Sequence, residues 1–245
     1  MNQLILMIQF FTRIPIRIQV PASQTDFAKG VKWLPLVGLL IGGLLAGSHI
    51  MCAPYFNAFT LSTGAVFFEV FLTGGLHLDG LADSFDGLYS NRGKERILEI
   101  MKDSRIGSNG ALALIALIIM KIALLSNLST EMRTVVLLLM PVISRFGIAF
   151  GSWISVYARE NGMGQFFIGN VNAGQVAMAL VVTLIPLSVF PKSVAILAVA
   201  VLFNWIFVKH VTQIIGGMTG DTLGAMIELT ELVQLPFWIL IITLV

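Results

Sequence analysis

Charge is what this sequence of 245 residues has least of: 11% of it is Asp, Glu, Lys or Arg, against 57% hydrophobic. A water-soluble domain carries about 25% charged residues, so the soluble globular class is excluded. One cysteine, Cys52, rules out an internal disulfide. The three histidines, His49, His77 and His210, show no metal-ligand spacing. His77 in particular projects away from the nearby acidic stripe on a helical wheel, which weakens it as a general base. No P-loop, dinucleotide fingerprint or G-x-S-x-G is present, so nucleotide hydrolysis on a Walker site and serine-nucleophile chemistry lack support. The start, MNQLILMIQFFTRIPIRI, has no basic region before its apolar run and no small-residue cleavage site, and no cleavable signal peptide is expected. A net charge of +2 says little about partners, and nothing in the chain points to nucleic acid.

What the chain has is apolar length. Mean hydropathy is +0.91, and apolar segments run near Leu34–Cys52, Asn57–Leu76, Gly110–Ser126, Val135–Trp153, Val176–Phe190, Val194–Val208 and Leu235–Val245. A helical span needs about 20 such residues. The expected fold is all-α: a polytopic membrane helical bundle of six or seven transmembrane helices, one domain over residues 1–245. The N-terminal segment reads as interfacial or re-entrant rather than as a further span. Eleven of the fifteen basic residues fall in regions on one side of this arrangement, among them Arg13, Arg17, Lys29, Lys32, Arg92, Lys94, Arg96, Lys102, Arg105, Arg159 and Lys209. That bias puts the side in the cytoplasm. Nine of the thirteen acids lie on the same side, in two groups.

The first group is HLDGLADSFDGL, with Asp79, Asp83 and Asp86 at i, i+4 and i+7. On a helix they form one stripe of like charge beside hydrocarbon, which a divalent cation would relieve. The stretch that follows contains KDSRIG, so Lys102, Asp103 and Arg105 set acid and base side by side. Carboxylates hold Mg²⁺ while Arg and Lys grip phosphate oxygens. Arg92, Lys94 and Arg96 serve equally well as positive-inside anchors. The second group is GGMTGDTLGAMIELTE, where Asp221, Gly224, Ala225 and Glu228 share a helical face narrow enough for close packing. Before it, Gly216 and Gly217 let the backbone turn or approach a phosphate. Arg159 opens a glycine-rich stretch, ARENGMGQFFIGNVNAG, that suits a lid. Within the spans, Glu69 could line the inner wall of the same cavity or be neutral and hydrogen-bonded. Arg145 must find an anion, either a phosphate or a partner such as Glu69, and Lys121 most simply snorkels or pairs.

Together, FFTRIP, GGLHLDGLADSFDGL, ILEIMKDSRIG and GGMTGDTLGA resemble the cobalamin synthase family, with motifs spread from Phe10 to Glu231. The resemblance implies a transferase acting late in vitamin B12 assembly at the cytoplasmic (inner) membrane. Adenosylcobinamide-GDP would react with α-ribazole or its 5′-phosphate, giving adenosylcobalamin or its 5′-phosphate and GMP, with Mg²⁺ as cofactor. Carried onto this chain, Asp79, Asp83, Asp86, Asp221 and Glu228 are the expected metal ligands. Asp83, Asp103, Lys102 and Arg105 are the expected catalytic groups, with Asp103 binding metal or acting as base. Arg92, Arg145, Arg159, Gly216 and Gly217 are the expected substrate contacts. Expected partners are the corrinoid nucleotide, the ribazole and the lipid bilayer. Other membrane-associated corrinoid enzymes and a second copy of the chain are compatible with this reading.

Two other classes compete. A Mg²⁺-dependent transferase of lipid alcohols or prenyl diphosphates also joins acidic helical motifs. The A-R expected after D-G-L-A-D in the former is absent, as is a second N-D-x-x-D block for the latter. A cation-coupled transporter would use intramembrane acids near the midplane, a picture that Glu69 and Arg145 alone fit, and no inverted repeat is visible.

Overall fold

The computed structural model describes residues 2–243, and among them the chain is helical, with no strand beyond an isolated bridge between Tyr157 and Met218. The N-terminal helix α1 (Asn2–Phe11) is too short to span, and it buries Leu6, Met7 and Phe11. Beyond it, Gln9 holds the extended chain by donating from Nε2 to the Ile16 and Ile18 carbonyls, at 2.9 and 2.8 Å. α2 (Gln24–Gly30), with Ser23 and Asp26 forming a capping box, runs through a 3-10 turn into α3 (Leu34–Cys52). Next come α4 (Ala58–Thr73), α5 (Leu76–Leu88), α6 (Lys94–Ile100), α7 (Ser108–Ser126) and α8 (Thr130–Ile154). The chain ends with α9 (Ala173–Leu187), α10 (Ser193–Ile215) and α11 (Gly220–Thr243).

Five stretches are long and apolar enough to cross a membrane, and six if α4 and α5 count as one broken span. With the broken pair counted, the number meets the lower end of the six or seven expected, and two features keep it from reaching seven straight spans. The 15 residues of α9 fall short of the roughly 17 that a span requires. The second apolar segment also does not run straight into the acidic block: α4 stops at Gly74 and Gly75, whose φ of 65° and 71° are left-handed, and α5 leaves at 92° to it. Glycine takes this conformation without the steric cost that a Cβ adds. Gly74 serves a second purpose, because Arg13 packs where its side chain would be, and the Arg13 N–H donates to the Leu72 carbonyl at 2.7 Å. The FFTRIP segment is thereby docked on the break.

The last span differs most from expectation. Instead of starting near Leu235, or near Leu229 as the apolar run also allows, α11 begins at Gly220, so Asp221, Glu228 and Glu231 belong to a membrane helix and not to a loop. (The end of the expected segment, residues 244–245, lies outside the described residues.) The segment is apolar enough to span even so, and its two glutamates are tolerated there because they have internal partners. Lys121 of α7 donates from Nζ to Glu69 at 3.3 Å, Glu228 at 3.1 Å and Glu231 at 2.6 Å. Arg145 of α8 pairs with Glu69 at 3.2 Å and also with Glu231, and Ser144 donates to Glu231 at 2.8 Å. All five charged side chains are buried. Four helices, α4, α7, α8 and α11, are pinned at one point.

Two close crossings complete the bundle. Gly38 and Gly42 of α3 lie directly against the backbone of α8 at Pro141 and Leu138, a small-xxx-small contact. Gly80 of α5 faces α11: a Cβ there would stand 2.7 Å from the Asp221 carbonyl oxygen. One on Gly224 of α11 would stand 3.4 Å from His77 Cα. Leu81, Leu117 and Ala225 seal the seam between α5, α7 and α11.

Replacing Lys121 with Met leaves three carboxylates buried without their shared cation, so the Lys121→Met chain should lose about 3–5 kcal/mol, read as a lower Tm in detergent. Gly80→Val should also melt lower, by the roughly 1–3 kcal/mol of overpacking. Gly43→Val should not, since nothing lies within 4 Å of a Cβ at Gly43; equal melting of the two valine variants would mean that the α5–α11 crossing is not tight.

Candidate active site

The α5–α11 crossing brings the two acidic groups together. Asp83 of α5 is half-buried, and the charged groups acting on it are Asp221, Asp79 and Asp86, with Arg159 the one cation among them. Residues 156–158 pair with Met218: the Met218 N–H donates to the Val156 carbonyl at 2.8 Å, and the Ala158 N–H donates to the Met218 carbonyl at 2.9 Å. This fixes the backbone beside Arg159, whose Nη2 meets Asp221 Oδ2 at 2.8 Å. Arg159 also reaches the Met101 carbonyl at 3.5 Å, while its Nε is buried with no hydrogen-bond partner. Guanidinium groups suit phosphate oxygens, and this one keeps a donor in reserve.

A cavity of about 200 Å³ opens at the same crossing. Asp79, Asp221, Arg159, Tyr157 and His77 line it, with Phe10, Phe11 and Phe167 among its apolar walls. The glycine-rich stretch after Arg159 covers one side through Met163 and Gly164. Burial holds the Tyr157 hydroxyl above its ordinary pKa, partly offset by Arg159, so it stays protonated at neutral pH and available as a donor. The aromatic walls and Tyr157 are functional candidates that the sequence reasoning missed. Phe10 and Phe11 were flagged only as part of FFTRIP, and nothing in their spacing says that they meet Phe167.

Other expected site residues lie elsewhere. Asp86 is engaged: its two oxygens accept from the Gly107 and Gly110 N–H groups at 2.7 and 2.8 Å, capping the start of α7, where negative charge is favoured. Both glycines are needed there, because a Cβ at either would collide with that carboxylate. Glu228, assigned to the metal from sequence, is held by Lys121, and Arg145, assigned to substrate, is held by Glu69 and Glu231. Gly216 ends α10 in a left-handed turn with φ 79°, and Gly217 lies tight against the Val156 carbonyl, so both serve the backbone pairing rather than a phosphate. Arg92 and Lys102 are exposed, and neither lines the cavity.

Asp103 and Arg105 pair with each other at 2.6 Å in a separate, polar depression shared with Asp86, Arg96 and Glu99. Hydrogen bonds from Arg105 hold the Asp103 carboxyl down to about 2, which makes it a weak proton acceptor at neutral pH. Its expected role as base is therefore disfavoured.

The remaining acids can be weighed as a metal site. Among the described residues, no three His, Cys, Asp or Glu side chains form a ready-made ligand cluster. Mg²⁺ rarely uses one; it is commonly held by one or two carboxylates plus substrate phosphates. Asp79, Asp83 and Asp221 fit that demand, being hard oxygen donors with more negative charge than Arg159 balances.

Comparison with known proteins agrees in scope. The family described as Cobalamin-5-phosphate synthase matches residues 3–239. A protein of Thermoanaerobacter sp. (strain X514) named adenosylcobinamide-GDP ribazoletransferase is 40% identical over 241 residues, 96% of this chain and 95% of its own. Those with the same name from Clostridium novyi (strain NT) and Alkaliphilus metalliredigens (strain QYMF) are each 42% identical. The first match covers 95% of this chain and 94% of the relative, and the second covers 98% and 96%. No solved structure matches the chain. With residues 3–239 and both acidic groups inside the matched region, the chain belongs to the Cobalamin-5-phosphate synthase family.

Proposed function

We propose that this chain transfers the cobinamide-phosphate group of adenosylcobinamide-GDP to α-ribazole or its 5′-phosphate, releasing GMP. A ribose hydroxyl oxygen forms a bond to the phosphorus that carries cobinamide. The bond from that phosphorus to the bridging oxygen breaks, GMP leaves with the electron pair, and the hydroxyl proton passes to a site carboxylate or to water. Such transfers depend on positioning and charge stabilisation more than on covalent help from the protein. The observation that carries the reading is the meeting of Asp79, Asp221 and Arg159 in the lining of one cavity, with Asp83 near enough to feel the charge of all three.

In this arrangement Arg159 binds a diphosphate oxygen through its unpaired Nε, and Asp221 orients the guanidinium. Tyr157 donates a hydrogen bond, and the Met163–Gly164 segment limits water. Asp79, Asp83 and Asp221 would hold Mg²⁺, which when bound neutralises phosphoryl charge. The site faces the cytoplasm of the inner membrane. Support for this is the one-sided distribution of Lys and Arg, together with the contact of Arg159 with the α6–α7 connection, which carries two of those residues, Lys102 and Arg105.

Asp83→Asn should lower GMP release by about 10²-fold or more, measured on purified protein with adenosylcobinamide-GDP and α-ribazole 5′-phosphate, while membrane insertion and Tm stay at wild-type values. Near-normal turnover in that variant would refute the assignment. Chelation with EDTA should abolish release, and added Mg²⁺ should restore it. Product identity separates the competing transferases, since a lipid-alcohol or prenyl enzyme would not liberate GMP from a corrinoid donor.

A further inference from the structure

The cavity contains one polar side chain that the transfer chemistry leaves unused. His77 is 2% exposed, lines the cavity, and has no hydrogen-bond partner on either Nδ1 or Nε2. A buried polar group left unsatisfied is destabilising, so it marks a place where a ligand atom completes the structure. Around it the walls are aromatic and aliphatic. The Phe11 ring lies 5.9 Å from the imidazole and 5.8 Å from the Phe167 ring, and Ile148, Leu223 and Ile227 add apolar surface. The charged lining groups are Asp79, Asp221 and Arg159. Apolar walls with a few placed polar groups are the usual form of a small-molecule site.

We propose that this cavity receives the benzimidazole base of the acceptor nucleoside, with His77 donating a hydrogen bond to the base's free ring nitrogen. The inference rests on the reaction proposed above and deepens it by placing one substrate. In α-ribazole one ring nitrogen carries the ribose, so a single acceptor remains, and the two ring methyl groups call for apolar contact. That is the pattern of the lining around His77, where the imidazole sits among phenyl and aliphatic groups, with the charged groups Asp79, Asp221 and Arg159 left for the ribose and diphosphate. A cavity of about 200 Å³ is too small for a corrin macrocycle. Guanine is bicyclic too, but its edge carries a carbonyl, an amino group and a ring N–H. Beyond the imidazole, the lining groups able to satisfy all three are Asp79, Asp221, Arg159 and Tyr157, which the reaction proposed above already uses, and a polar edge without partners is penalised. A base seated against Phe11 and Phe167 leaves its ribose directed toward Asp79 and Asp221, where its hydroxyl is needed.

The test is the steady-state release of GMP by the purified full-length protein. It compares α-ribazole with the riboside of 5,6-dimethylindole, which has the same outline but a C–H in place of the free ring nitrogen. The wild-type protein should use the indole analogue about tenfold less well or worse in kcat/KM. The His77→Leu variant should raise KM for α-ribazole by about tenfold, leave KM for adenosylcobinamide-GDP within about twofold, and erase the preference for benzimidazole over indole. Equal use of both ribosides by the wild-type protein overturns the inference without any variant having to fold. So does a rise in KM for adenosylcobinamide-GDP alone, which would assign the cavity to the donor's guanine. In either case wild-type GMP release from the natural pair leaves the reaction itself standing, whereas its absence removes both.

Discussion

Lys121 and Arg145, buried among Glu69, Glu228 and Glu231, are the contact on which the rest of this membrane protein depends. No one of the three carboxylates could be kept alone in an apolar bundle, because an unpaired charge there is among the costliest groups to bury. Held in common by two cations from α7 and α8, they fix α4 and α11 against both. Hydrophobic burial cannot choose one helix rotation over another when lipid is as apolar as the core. A charged network can, because only one rotation pairs every member. The rotation it selects for α11 is the one that presents Asp221 and Gly224 to α5.

The acids therefore divide by what balances them. Those deep in the bundle are matched by cations of the chain itself, which also accounts for the residues that suggested a transporter. At the α5–α11 crossing, Arg159 pairs with Asp221 and offsets part of the repulsion that Asp221, Asp79 and Asp86 exert on Asp83, and in the reaction proposed above a divalent cation would balance the rest. The 92° turn at Gly74–Gly75 keeps this group off the axis of α4. As a result the carboxylates gather at one end of the bundle beside the 156–159 segment. Arg159 and the apolar walls then border one small volume, which in the reaction proposed above would hold the attacking hydroxyl and the diphosphate together.

Helical class, multiple spans and the two acidic groups were legible in the sequence, because hydropathy and a spacing of three or four residues are local properties. So was the helix beginning near Asp221, with its stripe of small residues. Less visible was that this helix is the last span. A window that counts Glu228 and Glu231 as polar cannot know that Lys121, more than a hundred residues earlier, neutralises them. The same blindness assigned Glu228 to a metal, whereas for Arg145 the sequence left a phosphate and Glu69 both open, and the structure pairs it with Glu69 and Glu231. Asp86 looked like the third member of a stripe, yet Gly107 and Gly110 draw it away to cap α7.

The sequence by itself determined that the chain is a helical membrane protein, and through its motifs it determined the family, since composition, periodicity and residue order survive without coordinates. Only the tertiary structure decided which acids remain free for chemistry and that Phe10, Phe11, His77 and Phe167 line one cavity. Those are questions of which side chains meet across distant segments. The answers follow from how opposite charges pair and how closely glycine lets two helices approach.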